Sequence, residues 1–269
     1  MRVKDDSEEK FIVNPNPEVP IGQNSYWVNK IYNGFPAFQS ENYKKYFLGQ
    51  LISMIGTWMQ IVAQSWLVLQ LTDSVFLIGL VMALSTLPTL LFTLFGGVIV
   101  DRFPKKDILF ATQIASMILA FLLGVLTIFG WITIWEICTI SFLLGTVNAI
   151  DAPARQAFVS ELVNKEQLAS AIALNSGVFN SARVIGPTVA GIMIAIIGTG
   201  GAFILNALSY IAVLFALKKI KIDSVIKTHL PNPIVAIKEG LDYSFKHPII
   251  RTLFLVIGIV SIFGWSYTT

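Results

Sequence analysis

Charge is what this 269-residue chain has least of: 13% of its residues are Asp, Glu, Lys or Arg, where a soluble domain carries about 25%. From Ser74 to Val100 there is no charged residue, and after Asp107 none recurs before Glu136. A soluble fold needs polar surface and amphipathic elements to present it, and most of this chain has neither. Cysteine occurs once, at Cys138, so no disulfide can form within the chain. Histidine occurs twice, at His229 and His247, which gives no basis for a metal site, and no cofactor is expected. Residues 1–45 lack the apolar core of a cleavable signal peptide. They read as a mostly disordered polar tail that includes Asn14-Pro15-Asn16-Pro17. The net charge of +3 makes no case for nucleic acid.

What the chain has instead is apolar length, with 55% hydrophobic residues and a mean hydropathy of +0.71. A bilayer core of about 30 Å takes about 20 residues of helix. By that ruler spans fall at 46–71, 76–100, 108–129, 132–150, 168–197, 201–217 and 253–269. The reading is an all-α polytopic membrane protein, with the lipid bilayer as its first partner. Lys and Arg then sort by connection. They occupy the tail, the second connection (Arg102, Lys105, Lys106), the fourth (Arg155, Lys165) and the sixth (Lys218 to Arg251), whereas connections one, three and five have none. That asymmetry predicts a cytoplasmic N-terminus.

In the sixth connection, Asn232 and Pro233 suit the start of a helix. Ile234, Ile237, Leu241 and Phe245 follow at helical spacing, opposite Lys238, Glu239 and Asp242. This predicts a short amphipathic helix lying on the membrane face. The expected organisation is a tail over 1–45, a six-helix bundle over 46–220, a linker over 221–250 and the start of a seventh helix over 251–269.

Several spans carry polar side chains. Gln50, Ser53, Thr57, Gln60 and Gln64 recur at intervals of three and four, which places all five on one helix face. Such a face avoids lipid. It either bonds neighbouring helices or lines a watery cavity, and five in register favour the cavity. Thr86, Thr89, Thr93 and Gly97 on span two suggest close helix packing. On span five, Ser176, Asn180, Arg183 and Pro187 share a face, with Arg183 near mid-depth. A charge at that depth either serves the transported species or pairs with an acid on another helix, and Glu136 is the only other charge within the spans as drawn. Glu136 itself is either a proton carrier or a favourable partner of its helix dipole. No nucleophile–base or metal constellation is visible, so no enzyme activity is expected.

The segment Gly97-x-x-x-Asp101-Arg102-x-x-Lys105-Lys106 resembles the loop between helices two and three of the major facilitator superfamily, where it latches one conformation of two rocking bundles. Gly177, then Gly186-Pro187-x-x-Ala190-Gly191, resembles the fifth-helix motif of its exporters. Asp151-Ala-Pro153-Ala-Arg155-Gln156, read as the loop between spans four and five, resembles the branch of enterobactin-exporter and macrolide-efflux-like proteins (transmembrane secretion effectors). Asp151 and Arg155, four apart, suit a local pair.

The resemblance implies a twelve-helix transporter exporting a siderophore or drug-like small molecule from the bacterial inner membrane. It implies alternating access, driven by an ion gradient with protons as the usual coupling ion. On that scheme the chain corresponds to the N-terminal six-helix bundle and the beginning of helix seven, a truncated fold without its C-terminal bundle. The other reading is a transport-inactive membrane protein acting at most as an interaction unit.

Overall fold

The structure, a computed structural model, describes residues 34–222 and 242–264. Among them every long element is a helix. α1 is Glu41–Thr72, α2 Val75–Arg102, α3 Lys105–Ile128 and α4 Ile134–Leu162. The next helical stretch, Leu168–Lys219, is interrupted at Gly198, whose φ of 73° and ψ of 174° are not helical. Only glycine adopts that conformation freely, and it divides the stretch into α5 (168–197) and α6 (199–219). α7 is Pro248–Gly264. Among the described residues five helices are long and apolar enough to cross a membrane when Leu168–Lys219 is counted once. The fold is an all-α polytopic membrane bundle.

Local chemistry sets the boundaries. The Ser40 hydroxyl accepts the Tyr43 amide at 3.2 Å at the start of α1, and that of Ser74 accepts the Leu77 amide at 3.4 Å at the start of α2. Both satisfy amides that have no partner within the helix. Asp73 closes α1 in the left-handed region. The tail expected over 1–45 is folded in its last part. Pro36–Gln39 forms a 3-10 turn, Ala37 is buried, and the Tyr43 hydroxyl donates to the Ala171 carbonyl at 3.1 Å. The linker helix expected from Asn232 lies outside the described residues except for its end, where Lys246 and Asp242 pair at 2.6 Å.

The close helix contacts occur where side chains vanish. Gly49 and Gly56 of α1 face Val213 and Asn206 of α6, and Gly186 of α5 faces Trp58 of α1. Gly124 of α3 meets Ile204 of α6, while Gly96 of α2 and Gly145 of α4 set those two helices against each other. Around the bundle the order is therefore α5, α1, α6, α3, α4, α2. Outward faces are apolar and bare, with Phe76 78% exposed and Val184 74% exposed, a surface suited to lipid rather than water. Lys44, Arg102, Lys105, Lys106, Lys165 and Lys219 gather at one end of the bundle, where the chain enters α1 and leaves α6.

Candidate functional site

A cavity of about 740 Å³ opens between α1, α2 and α4, with α3, α5 and α6 contributing at its margins. All five polar residues of the α1 stripe, Gln50, Ser53, Thr57, Gln60 and Gln64, line it. Three of them, Thr57, Gln60 and Gln64, also bond neighbouring helices, so the two roles coexist. The Gln64 amide donates to the Ser141 hydroxyl of α4 at 2.6 Å. The Gln60 carbonyl accepts from the Asn206 amide of α6 at 2.5 Å. Thr57 lies 3.5 Å from the Tyr210 hydroxyl. These bonds hold the two amides in place and use only part of the hydrogen-bonding capacity of each. Thr86 and Thr89 of α2, expected only to pack, are part of the wall.

The largest departure from the sequence reading concerns Asp151, Pro153 and Arg155. They are not in a loop, because α4 continues through them to Leu162. Asp151 is buried. Its carboxylate accepts from the Thr112 hydroxyl at 2.7 Å, from the Gln113 amide at 2.9 Å and from the Arg155 guanidinium. Both Asp151 and Arg155 line the cavity, where they are the only charged residues among the described ones. Glu136 is thus not the only other charge within the helices. A buried carboxylate needs such partners because burial penalises its charge. The sequence signal was the i, i+4 acid–base spacing; its helical setting was hidden by the end of the apolar run at Ile150.

The charged knot between α2 and α3 is fastened to its own bundle. The Lys106 ammonium donates to the Ile220 carbonyl at 2.7 Å, at the end of α6, where cations and free carbonyls suit each other. Lys105 lies 3.6 Å from the Glu161 carboxylate of α4, Asp101 is exposed and Arg102 half-buried. The close approach assigned to Gly97 belongs to Gly96. A Cβ on Gly96 would lie 2.3 Å from the Ala149 carbonyl oxygen, whereas Gly97 has nothing within 4 Å. Replacing Lys106 with Ala is expected to destabilise the bundle by about 1 kcal/mol. The half-exposed Lys105–Glu161 pair contributes less, about 0.5 kcal/mol. Heating the detergent-solubilised chain and following thiol labelling of buried Cys138 reads both.

The comparisons decide the family. A family model described as transmembrane secretion effector matches residues 33–266. The chain belongs to that family, a branch of the major facilitator superfamily. Among curated relatives, the staphyloferrin A transporter of Staphylococcus aureus is 29% identical over 84% of this chain and 57% of its own length. The multidrug efflux pump Tap of Mycolicibacterium fortuitum is 26% identical over 75% of this chain and 51% of its own. An uncharacterized MFS-type transporter of Bacillus subtilis, YfiS, is 26% identical over 78% and 51%. The chain spans about half the length of the curated relatives it matches.

In this member of the family the remaining candidates lie away from the cavity. The Arg183 guanidinium sits over the Trp58 ring, 5.8 Å from its centre, an attractive cation–π position. Trp58, not Arg183, lines the cavity. Asn180 is exposed, its amide donating to the Ser176 carbonyl at 2.8 Å. Glu136 closes a capping box with Thr133, accepting the Thr133 amide at 3.0 Å. Of the fifth-helix motif, Gly186 sits against Trp58, while Gly177 and Gly191 have open space around them and Pro187 is exposed.

Proposed function

We propose that this chain is the N-terminal bundle of a secondary active exporter. In this reading it moves a small molecule out across the bacterial inner membrane by alternating access against a second bundle, with its N-terminus in the cytoplasm and protons as the coupling ion. The observation that carries this is the polar stripe of α1 turned into a cavity of about 740 Å³, inside a bundle whose outer faces are apolar. Amides and hydroxyls at membrane depth are retained where they meet water or solute. The names of the relatives, a siderophore transporter and a multidrug efflux pump, agree with small-molecule export.

The test is ethidium accumulation in an exporter-deficient bacterial host producing this bundle together with a complementary second bundle of the same family. Wild type is expected to lower accumulation, and collapsing the proton gradient to restore it. Gln60→Leu with Gln64→Leu is expected to slow efflux about tenfold, equivalent to ~1.4 kcal/mol or one lost hydrogen bond. The other reading is a membrane unit that transports nothing. Unchanged accumulation in cells that hold both folded bundles would select it.

A further inference from the structure

Asp151 and Arg155 face the cavity unequally. The Asp151 side chain is 5% exposed and that of Arg155 18%, so Arg155 is the more accessible of the two from the cavity. The Asp151 carboxylate is already engaged by Thr112, Gln113 and Arg155. The guanidinium is less well served. One terminal nitrogen donates to Asp151, and the other, Nη1, points at the Met54 thioether sulfur at 2.9 Å. Nε is buried with no hydrogen-bond partner among the described residues. A thioether is a weak acceptor, and Met is flexible enough to move aside. The cation at the cavity wall therefore has one strong acceptor and one weak one, against five N–H groups.

We propose that Arg155 is the docking point in this cavity for the carboxylate of a small organic acid, which replaces the Met54 sulfur at Nη1. A planar carboxylate matches the planar guanidinium and forms charge-assisted bonds with it. A singly charged group is favoured over a phosphate, because a second negative charge would stand close to Asp151. Gln50, Gln113 and Asn175 on the wall supply neutral hydrogen bonds to the rest of the molecule, and Trp58 and Phe179 an apolar face. Asp151 acts as a positioning residue that holds the guanidinium toward the opening. This assignment rests on the cavity being the transport cavity, and it moves the anion-recognising role from Arg183, which stacks on Trp58, to Arg155.

The test uses the purified full chain in detergent at neutral pH and two fluorescent probes that differ only in charge, dansylglycine and its carboxamide. Wild type is expected to bind the acid at least about tenfold more tightly than the amide. Arg155→Lys should keep part of that preference and Arg155→Gln none. Should Arg155→Gln fail to fold with Asp151 left uncompensated, the double variant Asp151→Asn/Arg155→Gln removes both charges and should bind the two probes equally. Equal affinities in wild type, no binding of either probe, or a preference surviving in the double variant would each overturn the assignment. A preserved preference in a chain that moves no ethidium would count against the exporter reading alone.

Discussion

Replacing Asp151 with Ala is expected to destabilise the bundle by about 3–5 kcal/mol, the range for breaking a buried ion pair from one side. The variant removes the single acceptor shared by Thr112, Gln113 and Arg155. Arg155 is then left as a largely buried cation whose nearest remaining partner is the Met54 sulfur. The Gln113 amide loses its partner on α4 in the same step and the Thr112 hydroxyl keeps only the Leu109 carbonyl of its own helix, so the α3–α4 contact loosens along with the charge imbalance. The companion Asp151→Asn/Arg155→Gln exchanges the ion pair for neutral groups of similar size, and such exchanges are often close to neutral. It should therefore recover most of the loss. Cys138, buried on the same helix, reports unfolding through its thiol labelling temperature. A single variant as stable as wild type would mean that the pair does not hold α3 to α4.

The second large effect is steric. Gly145→Leu is expected to destabilise the chain by about 3 kcal/mol, the upper part of the range for overpacking. A Cβ at Gly145 would lie 2.2 Å from the Ser85 carbonyl oxygen and 2.9 Å from its carbon. Because backbone obstructs the space, no rotamer change relieves the clash, and α2 must move away from α4. Gly96 poses the same problem from the other helix, against Ala149. Gly97→Ala is the control, since nothing lies within 4 Å of that site. It should leave the labelling temperature of Cys138 within the variation of ordinary surface substitutions, about 0.5 kcal/mol. A Gly145→Leu chain as stable as the control would contradict the described packing of α2 on α4.

The contrast between Gly96 and Gly97 shows where a sequence stops being informative. A step of one residue turns a helix by about 100°, so a motif marks the right turn without saying which of two glycines touches the neighbour. The α1 stripe was legible because five residues share one period, and a repeated signal survives small errors of register. Asp151 and Arg155 were misplaced for a different reason. Hydropathy measures the cost of meeting lipid, and two charges after Ile150 look like the end of a span. What carries α4 through them is a set of partners on α3, Thr112 and Gln113, nearly forty residues away in sequence and without any pattern of their own. Arg183 differs again. Its depth was readable, but the indole face of Trp58 beneath its guanidinium was not. No periodicity announces that contact.

The single-residue junction at Gly198 bears on how the sidedness of this membrane protein can be mapped. With one backbone position outside helical geometry between α5 and α6, there is no loop to receive an epitope tag or a protease site. Thr199 and Gly200 are already buried, and a Cβ at Gly200 would lie 2.6 Å from a side-chain carbon of Ile128. Foreign peptide spliced there would pry α3 from α6 and report on a damaged molecule. At the same end, the turn from Phe129 to Trp131 has two exposed, stacked rings and Gly130 at a φ of 70° with open space around it. An insertion at that turn disturbs only this exposed ring pair and no helix–helix contact, which makes it the better reporter of the face opposite the lysine-rich end.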